Sequence, residues 1–456
     1  MRFVAIPHKD MPAVININNP VSSRISKIEG WNMKDVQPVP KQIRKAIVKY
    51  NPSISLIKTT KKYCEYLMWY RATLSAGKND GTRPKTPRGH LNYKNSMWDT
   101  DWNMAWDGGG VSIIRVFEDG RVKVVHDMIP VSETTYVLDA RLVFWRNEFH
   151  LIYNRYTKNG WFPDTNPELE NCYKYPGKGL CITMETHPIK ITKKGIYALG
   201  PPRILCRDKH TRFEKNWSLV LPVEKKRLIH YSFTPQLKFL ESDARDDHNN
   251  DRCTWRVAPR SDVFMKLYSY YKLVLPPLVA NGIAVTTPLI DFDKDHWIGV
   301  GRIKIDYKKL DLERGPLRNS KLGKFMNLLR TVLNIPSVAP KDWFKFSRAI
   351  HDTLVYFSFF YTINKKTLAI GQFSPAFLPQ SPDVDYFATI SFPVAIQPFT
   401  RGKFAVSIGI ADIDCGIITI SRDELRKMMI YTNRTRPQDF DFGIQTFEYP
   451  LPHFEK

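Results

Sequence analysis

Asp139-Ala-Arg141 places a carboxylate two residues from a guanidinium. A carboxyl group can serve as an acid or base and a guanidinium can bind an anion, so the two residue types are ones that chemistry can use. In extended chain, side chains two apart share a face, so at a strand entrance both can open into one cleft. A structural ion pair capping the strand is the competing account. Leu142 to Trp145 and Phe149 to Tyr153 flank a polar Arg146-Asn147-Glu148, which predicts a β-hairpin with a short turn directly after the pair.

Other groupings point to chemistry less directly. Asp291-Phe-Asp-Lys-Asp-His296 alternates carboxylates that could hold a divalent cation, but an acidic turn between two strands accounts for them more simply, and no metal is expected. Asp243 to Cys253 offers Asp, His and Cys without zinc spacing and reads as a surface loop. Gly108-Gly109-Gly110 runs into a strand with no Lys-Ser/Thr, which excludes a phosphate-binding P-loop, and Gly299-Val-Gly301 is too short for a dinucleotide fingerprint. No Gly-x-Ser-x-Gly elbow marks a serine hydrolase.

The charge is the outlying property: 68 Lys and Arg against 45 Asp and Glu give +23 over 456 residues. Such an excess suits an anionic partner, whether nucleic acid, a membrane surface, phosphate or a phosphorylated sugar. It is densest from Lys41 to Lys94, where no zinc-finger, RNA-recognition or basic-zipper pattern accompanies it, so a solvated basic face is the expectation there. Six cysteines without a C-x-x-C pair form neither a dense disulfide framework nor a metal cluster. The longest apolar stretch, Leu273 to Ile290, is broken by Pro276, Pro277 and Pro288, so no membrane span is expected. These features predict a soluble cytoplasmic protein with reduced thiols.

The elements that must position the pair are strands. Aromatics at 13%, with 32 Pro and 23 Gly, suit many short strands and tight turns. Hairpins are predicted for 53–57 with 66–71, 111–117 with 122–125, 181–184 with 195–197, 217–220 with 228–231, 287–290 with 297–300 and 355–363 with 368–370, and a last sheet for 387–390, 404–408 and 417–420. Repeated antiparallel hairpins without a βαβ rhythm point to an all-β propeller, with a two-sheet sandwich as the competitor. Residues 1 to about 38 read as an irregular arm and Pro40 to Tyr50 as a helix, together spanning 1–49. The propeller takes 50–430 with a helical insertion at about 318–352, Ser421 with Glu424 forms a capping box, and 431–456 is a tail.

In this order the elements resemble the five-bladed β-propeller β-mannoside phosphorylases of glycoside hydrolase family 130 and the mannosyltransferases related to them. The resemblance is carried by Asn51-Pro-Ser-Ile54 with Tyr66 to Arg71, by Asp139-Ala-Arg141, and by Lys215-Asn-Trp-Ser-Leu-Val-Leu-Pro222 with Leu228 to Tyr231. Thr286-Thr-Pro-Leu-Ile290 with Trp297 to Gly301, and Phe392-Pro393 with Val406 to Asp412, complete it. It implies an inverting mechanism in which Asp139 supplies the proton to the glycosidic oxygen. Arg71, Arg141, Lys215 and Asn216 would hold phosphate or sugar, and Asp412 would bind hydroxyls or position the phosphate side. Phosphate or a sugar phosphate would be a substrate, with no cofactor. The chain departs from the family pattern where Arg302 stands in place of a His, His230-Tyr231 in place of a His-Arg pair, and Ala395 in place of a Gly. These positions all touch the phosphate and acceptor side. A non-catalytic propeller, such as a viral or surface structural protein that binds glycans, is the alternative implied, and nucleic-acid binding by the basic N-terminal part is another.

Overall fold

The computed structural model describes residues 14–16, 47–75, 104–119, 121–130, 138–145, 147–158, 180–191, 196–200, 203–205, 217–222, 226–233, 237–243, 253–262, 264, 283–306, 354–374, 391–410 and 414–431. Their strands make five sheets, arranged as the five blades of a β-propeller. Strand β1 (Val14–Asn16) precedes blade 1, which comprises β2 (Ile47–Thr59), β3 (Tyr63–Ser75), β4 (Met104–Phe117) and β5 (Val122–Asp127). Blade 2 holds β6 (Ile129–Pro130), β7 (Leu138–Trp145), β8 (Glu148–Lys158), β9 (Leu180–Ile191), β10 (Ile196–Leu199) and β11 (Arg203–Ile204). Blade 3 holds β12 (Ser218–Leu219), β13 (Lys226–Ser232), β14 (Lys238–Asp243) and β15 (Thr254–Val257). In blade 4, β16 (Ile283–Val285) and β17 (Ile290–Asp291) both pair with β18 (His296–Asp306), followed by β19 (Leu354–Asn364) and β20 (Ile370–Phe373). Blade 5 holds β21 (Ser391–Pro398), β22 (Lys403–Ile410) and β23 (Asp414–Ser421).

The ring is closed from both sides of the chain. Strand β1 pairs antiparallel with β23 and completes blade 5. After β23 the helix α1 (Arg422–Met428) leads into β24 (Ile430–Tyr431), which pairs back onto β20 of blade 4. The capping box at α1 forms as predicted, with Ser421 and Glu424 each bonding the other's backbone N–H.

Middle strands are buried on both faces, which explains why they read as unbroken apolar runs rather than alternating ones. In β3, Leu67 and Trp69 pack with Ala140, Leu142 and Tyr153 of blade 2, whereas Tyr66, Met68 and Tyr70 pack with Ala395, Phe399 and Ile417 of blade 5. The glycines opposite them make this possible: a Cβ at Gly109 would lie 2.1 Å from the Trp69 indole, and one at Gly110 2.4 Å from the Tyr70 hydroxyl. The Gly108-Gly109-Gly110 run is thus a strand segment over which two rings lie.

Several expectations need correction. Residues 47–50 are strand, not the end of a helix, because Ile47 to Tyr50 pair with Leu74 to Arg71 and the β-branched Ile47 and Val48 suit that ladder. The N-terminal arm contributes a strand at Val14–Asn16. Strand β9 meets β10 through Ile189 to Ile191, while Cys181 to Met184 pair with β8. The innermost strand of blade 5 is Ser391–Pro398, and 387–390, like the predicted helices of 318–352, lie outside the described residues. Cys64 and Cys415 are free and buried, but Cys253 is disulfide-bonded, so uniformly reduced thiols were the wrong expectation. Among the described residues no helix is long and apolar enough to cross a membrane.

Candidate active site

The innermost strands of three blades are bulged. In β2 the register slips between Tyr50 and Ser53, in β7 between Leu138 and Arg141, and in β21 between Pro393 and Ala395. A bulge inserts residues that the neighbouring strand does not match and re-aims their side chains. At two of these bulges the backbone is left-handed: Asn51 and Asp139 both have φ 49°. Asn and Asp tolerate that conformation better than other residues with a Cβ, which accounts for the residue types chosen there. Asp139 is therefore not in plain extended chain, as its spacing from Arg141 suggested.

The two bulges face each other across blades 1 and 2. Asn51 Nδ2 donates to Asp139 Oδ1 at 3.2 Å, and Arg71 Nη1 lies 3.5 Å from the same oxygen. Asn51 is 4% exposed and Arg71 7%, whereas the Asp139 side chain is 15% exposed. The carboxylate is thus the more accessible end of a buried, charge-assisted group. Neighbouring bonds fix the frame: Leu142 N donates to Ser53 Oγ at 2.7 Å, and Ser407 Oγ donates to the Pro52 carbonyl at 2.6 Å. Blade 5 leaves room through Gly409, where a Cβ would fall 2.0 Å from Asn51 Oδ1 and 3.0 Å from Asn51 N.

Arg141 ties blade 2 to blades 4 and 5. It is 1% exposed, its Nε donates to the Thr286 carbonyl at 2.9 Å, and its Nη1 donates to the Asp139 carbonyl at 2.5 Å. Its guanidinium lies 5.6 Å from the centroid of the Phe392 ring, and the Arg302 guanidinium lies 4.5 Å from the same ring. Arg302 is buried and also lies over Tyr356 at 5.2 Å. Four of the predicted residues, Arg71, Asp139, Arg141 and Arg302, are in this way brought together from three blades. A carboxyl group can move a proton, and buried guanidinium groups can bind an anion.

His230 and Tyr231 were expected on the phosphate side together, yet consecutive residues of a strand point to opposite faces. The structure places His230 in the aromatic layer between blades 3 and 4, fully buried, with its Nδ1 3.0 Å from the Tyr361 hydroxyl and its ring stacked on Phe239 at 4.9 Å. Burial pushes the imidazole down to about 3, so it is neutral at physiological pH. Tyr231 packs on the other face, 5.4 Å from Trp217 and 4.7 Å from Trp255 by ring centroids. Lys215, Asn216 and Asp412 lie outside the described residues.

The acidic Asp291–His296 segment is a turn: Asp293 Oδ1 accepts from Asp295 N at 2.9 Å and from His296 N at 2.8 Å. Among the described residues no group of three or more His, Cys, Asp or Glu is placed to hold a metal ion. Asn51, Phe392 and Gly409 stand in the motifs that carry the resemblance, but no role is assigned to them there.

No protein-family model matches the sequence, and no curated protein matches it. Among solved structures, the chain is similar to a GDP-Man-dependent mannosyltransferase from Leishmania mexicana, at 10% identity and TM-score 0.40, over 82% of this chain and 86% of that one. It is similar to β-1,2-mannobiose phosphorylase from Listeria innocua at 8% identity and TM-score 0.40, over 86% of this chain and 95% of that one. It is also similar to a glycosyl hydrolase from Bacteroides ovatus at 9% identity and TM-score 0.42, over 82% of this chain and 84% of that one.

Proposed function

We propose that the cleft at Asp139 carries out glycosyl transfer to or from a phosphate-bearing species, as an inverting glycoside phosphorylase or glycosyltransferase acting on mannosyl-type sugars. The observation that supports this most is the meeting of two left-handed bulges, Asn51 and Asp139, with Arg71 at 3.5 Å from the carboxylate. Backbone strain at neighbouring positions, stabilised by a buried hydrogen-bond network, is characteristic of functional sites. The kind of sugar rests on the motif resemblance of the sequence.

In the phosphorolytic direction a phosphate oxygen forms a bond to the anomeric carbon from the face opposite the glycosidic oxygen, and the bond from that carbon to the glycosidic oxygen breaks. A proton from the Asp139 carboxyl reaches the departing oxygen directly or through a sugar hydroxyl, releasing one sugar and an inverted sugar 1-phosphate. Phosphate is itself the nucleophile, so the reaction asks for one carboxylic acid and no enzymic base. Arg71, Arg141 and Arg302 hold the phosphate, with Lys215, Asn216 and Asp412 proposed to complete the sugar and phosphate contacts. An incoming phosphate competes with Asp139 for Arg71, which releases the carboxyl to take up a proton. His230 and Tyr231 are left out of this anion site. No cofactor enters the reaction.

The test is incubation of the protein with a panel of mannosides, with and without inorganic phosphate, and with sugar phosphates or nucleotide-sugars plus acceptors, read by mass spectrometry. A new glycosyl phosphate or glycoside is expected from at least one pair. Absence of product from every pair, with the fold confirmed by circular dichroism, would favour a glycan-binding propeller without catalysis.

A further inference from the structure

The end of the ring remote from Asp139 has a surface of its own. Strand β2 passes the Asp139 carboxylate at Asn51 and reaches Ile57 six residues later, roughly 20 Å away along an extended strand. The inner strands of neighbouring blades run side by side to that end. Leu142 N donates to Ser53 Oγ between blades 2 and 1, Leu56 N donates to Gln397 Oε1 between blades 1 and 5, and Val220 pairs parallel with Leu289 between blades 3 and 4. At or just beyond their far ends stand Pro398 of blade 5, Ile57 of blade 1, Phe144 of blade 2 and Pro222 of blade 3, all exposed. Ile57 is 42% exposed and Phe144 48%. A bulge accounts for Ile57: the register of β2 slips between Leu56 and Lys58, which leaves Ile57 unmatched and re-aims it out of the ladder. Single apolar residues on a surface are ordinary, but these four end the inner strands of four successive blades.

Beside Ile57 the surface is cationic. Lys58, Lys61 and Lys62 are exposed, and among the described residues none of them has an ion-pair partner. The acids around this turn are already taken up by arginines: Glu65 by Arg115 at 2.7 Å, Glu118 by Arg401 at 2.9 Å and Asp119 by Arg121 at 2.7 Å. We propose that this end of the propeller docks on an anionic lipid surface, with Ile57 and Phe144 entering the headgroup region and the three lysines lying over anionic headgroups. A nucleic acid would answer the lysines and leave Ile57 and Phe144 without a role, and a second copy of the chain would set the same lysines against one another. A bilayer interface takes both kinds of side chain. The proposal is independent of the chemistry at Asp139, whose cleft it leaves facing away from the lipid.

Flotation of the full chain with vesicles of phosphatidylcholine, and of phosphatidylcholine mixed with phosphatidylserine, tests it. The native protein is expected to bind the mixed vesicles at least about tenfold more tightly than the neutral ones. Combined Lys58→Ala, Lys61→Ala and Lys62→Ala is expected to lower that affinity about a hundredfold, from about fivefold for each lysine near an anionic bilayer. Combined Ile57→Ser and Phe144→Ser is expected to lower it about tenfold through lost apolar burial. Equal binding of the native protein to both kinds of vesicle, binding to neither, or undiminished binding by either combined variant overturns the proposal. So does tighter binding of a single-stranded oligonucleotide than of mixed vesicles, if Ile57→Ser with Phe144→Ser leaves it unchanged, because the surface then belongs to nucleic acid. Should the lysine variant not fold, the native protein supplies a second reading. Raising salt from about 0.1 M to about 1 M shortens the screening length from about 10 Å to about 3 Å and must release the native protein from mixed vesicles, and retention there counts against the proposal.

Discussion

Two buried polar groups of this propeller can be set side by side. Between blades 1 and 2, Asn51 and Asp139 sit on left-handed bulges, Arg71 and Asp139 form an ion pair, and the Asp139 side chain is 15% exposed. Between blades 3 and 4, His230 is neutral, borders a register shift of β13 that contains no left-handed residue, and is enclosed by Phe233, Phe239 and Tyr361. Both have polar atoms deep in a β-sheet core, where an unpaired group costs about 1–3 kcal/mol. The first departs from regular strand geometry to aim its groups at one another and at a cleft. The second also borders a register shift, but with no left-handed residue, and meets only its own aromatic layer. Burial and a neighbouring bulge are therefore common to both, and what separates the first is its left-handed backbone and its ion pair.

The largest effect should come from filling the space that the first group requires. Gly409→Ala drives a methyl onto Asn51 Oδ1 and N, and overpacking of this kind costs about 1–3 kcal/mol. It is expected to lower the melting temperature and, by displacing Asn51 from Asp139, to reduce turnover as well. Thermal melting and a product assay on one preparation check both; unchanged turnover would show that the Asn51 contact is not used.

Asn51→Gly separates the two effects. Glycine accepts the positive φ at no steric cost, so only the amide that donates to Asp139 is removed. A hydrogen bond to a charged group contributes about 1.5–3 kcal/mol, which predicts some loss of melting temperature and, with the carboxyl no longer held, a fall in kcat of roughly ten- to a hundredfold. A variant that melts early but turns over normally would place Asn51 with His230, as a packing residue.

His230→Phe should produce the smallest change in activity, none beyond twofold, and a loss of about 1 kcal/mol from the Tyr361 hydrogen bond. It should also alter the acid limb of stability. Because burial lowers the imidazole to about 3, the unfolded chain binds a proton that the native state refuses between about 6.5 and about 3. Native stability is then fully present above about 6.5 and falls by up to about 1.4 kcal/mol per pH unit on acidification through that window. Denaturant unfolding at a series of pH values should show a shallower fall for His230→Phe. Equal slopes would mean that His230 is protonated in the native protein.

Legibility in the sequence divided along the same line. The hairpin after Asp139 could be read because Trp145 and Glu148 do close a two-residue turn, with Asn147 at φ 62°. Tyr66 to Arg71 and Trp217 to Val220 could be read because apolar runs bounded by polar turns are what a blade buried on both faces demands. The bulges could not be read. Asn51-Pro52 interrupts the pattern of β2 in the same way that a helix end would, and only the pairing of Tyr50 with Arg71 and Ser53 with Trp69 shows the strand continuing through it. His230 and Tyr231 were drawn into one site because adjacency in sequence hides the alternation of strand faces. Arg302 was found through its motif position, whereas the exposure of Ile57 needed the register slip between Leu56 and Lys58 to be seen.

The most direct test of the account is the turnover of Asp139→Asn against that of the native protein, with melting temperatures measured on both. Asparagine tolerates the same left-handed backbone, so the fold is expected to persist while the transferable proton is lost. The account predicts an equal melting temperature within a few degrees and a fall in kcat of about 10²- to 10⁴-fold, the size of a general-acid contribution. Product formation at the native rate by a folded Asp139→Asn would contradict it and move the chemistry away from the Asn51, Arg71 and Asp139 group.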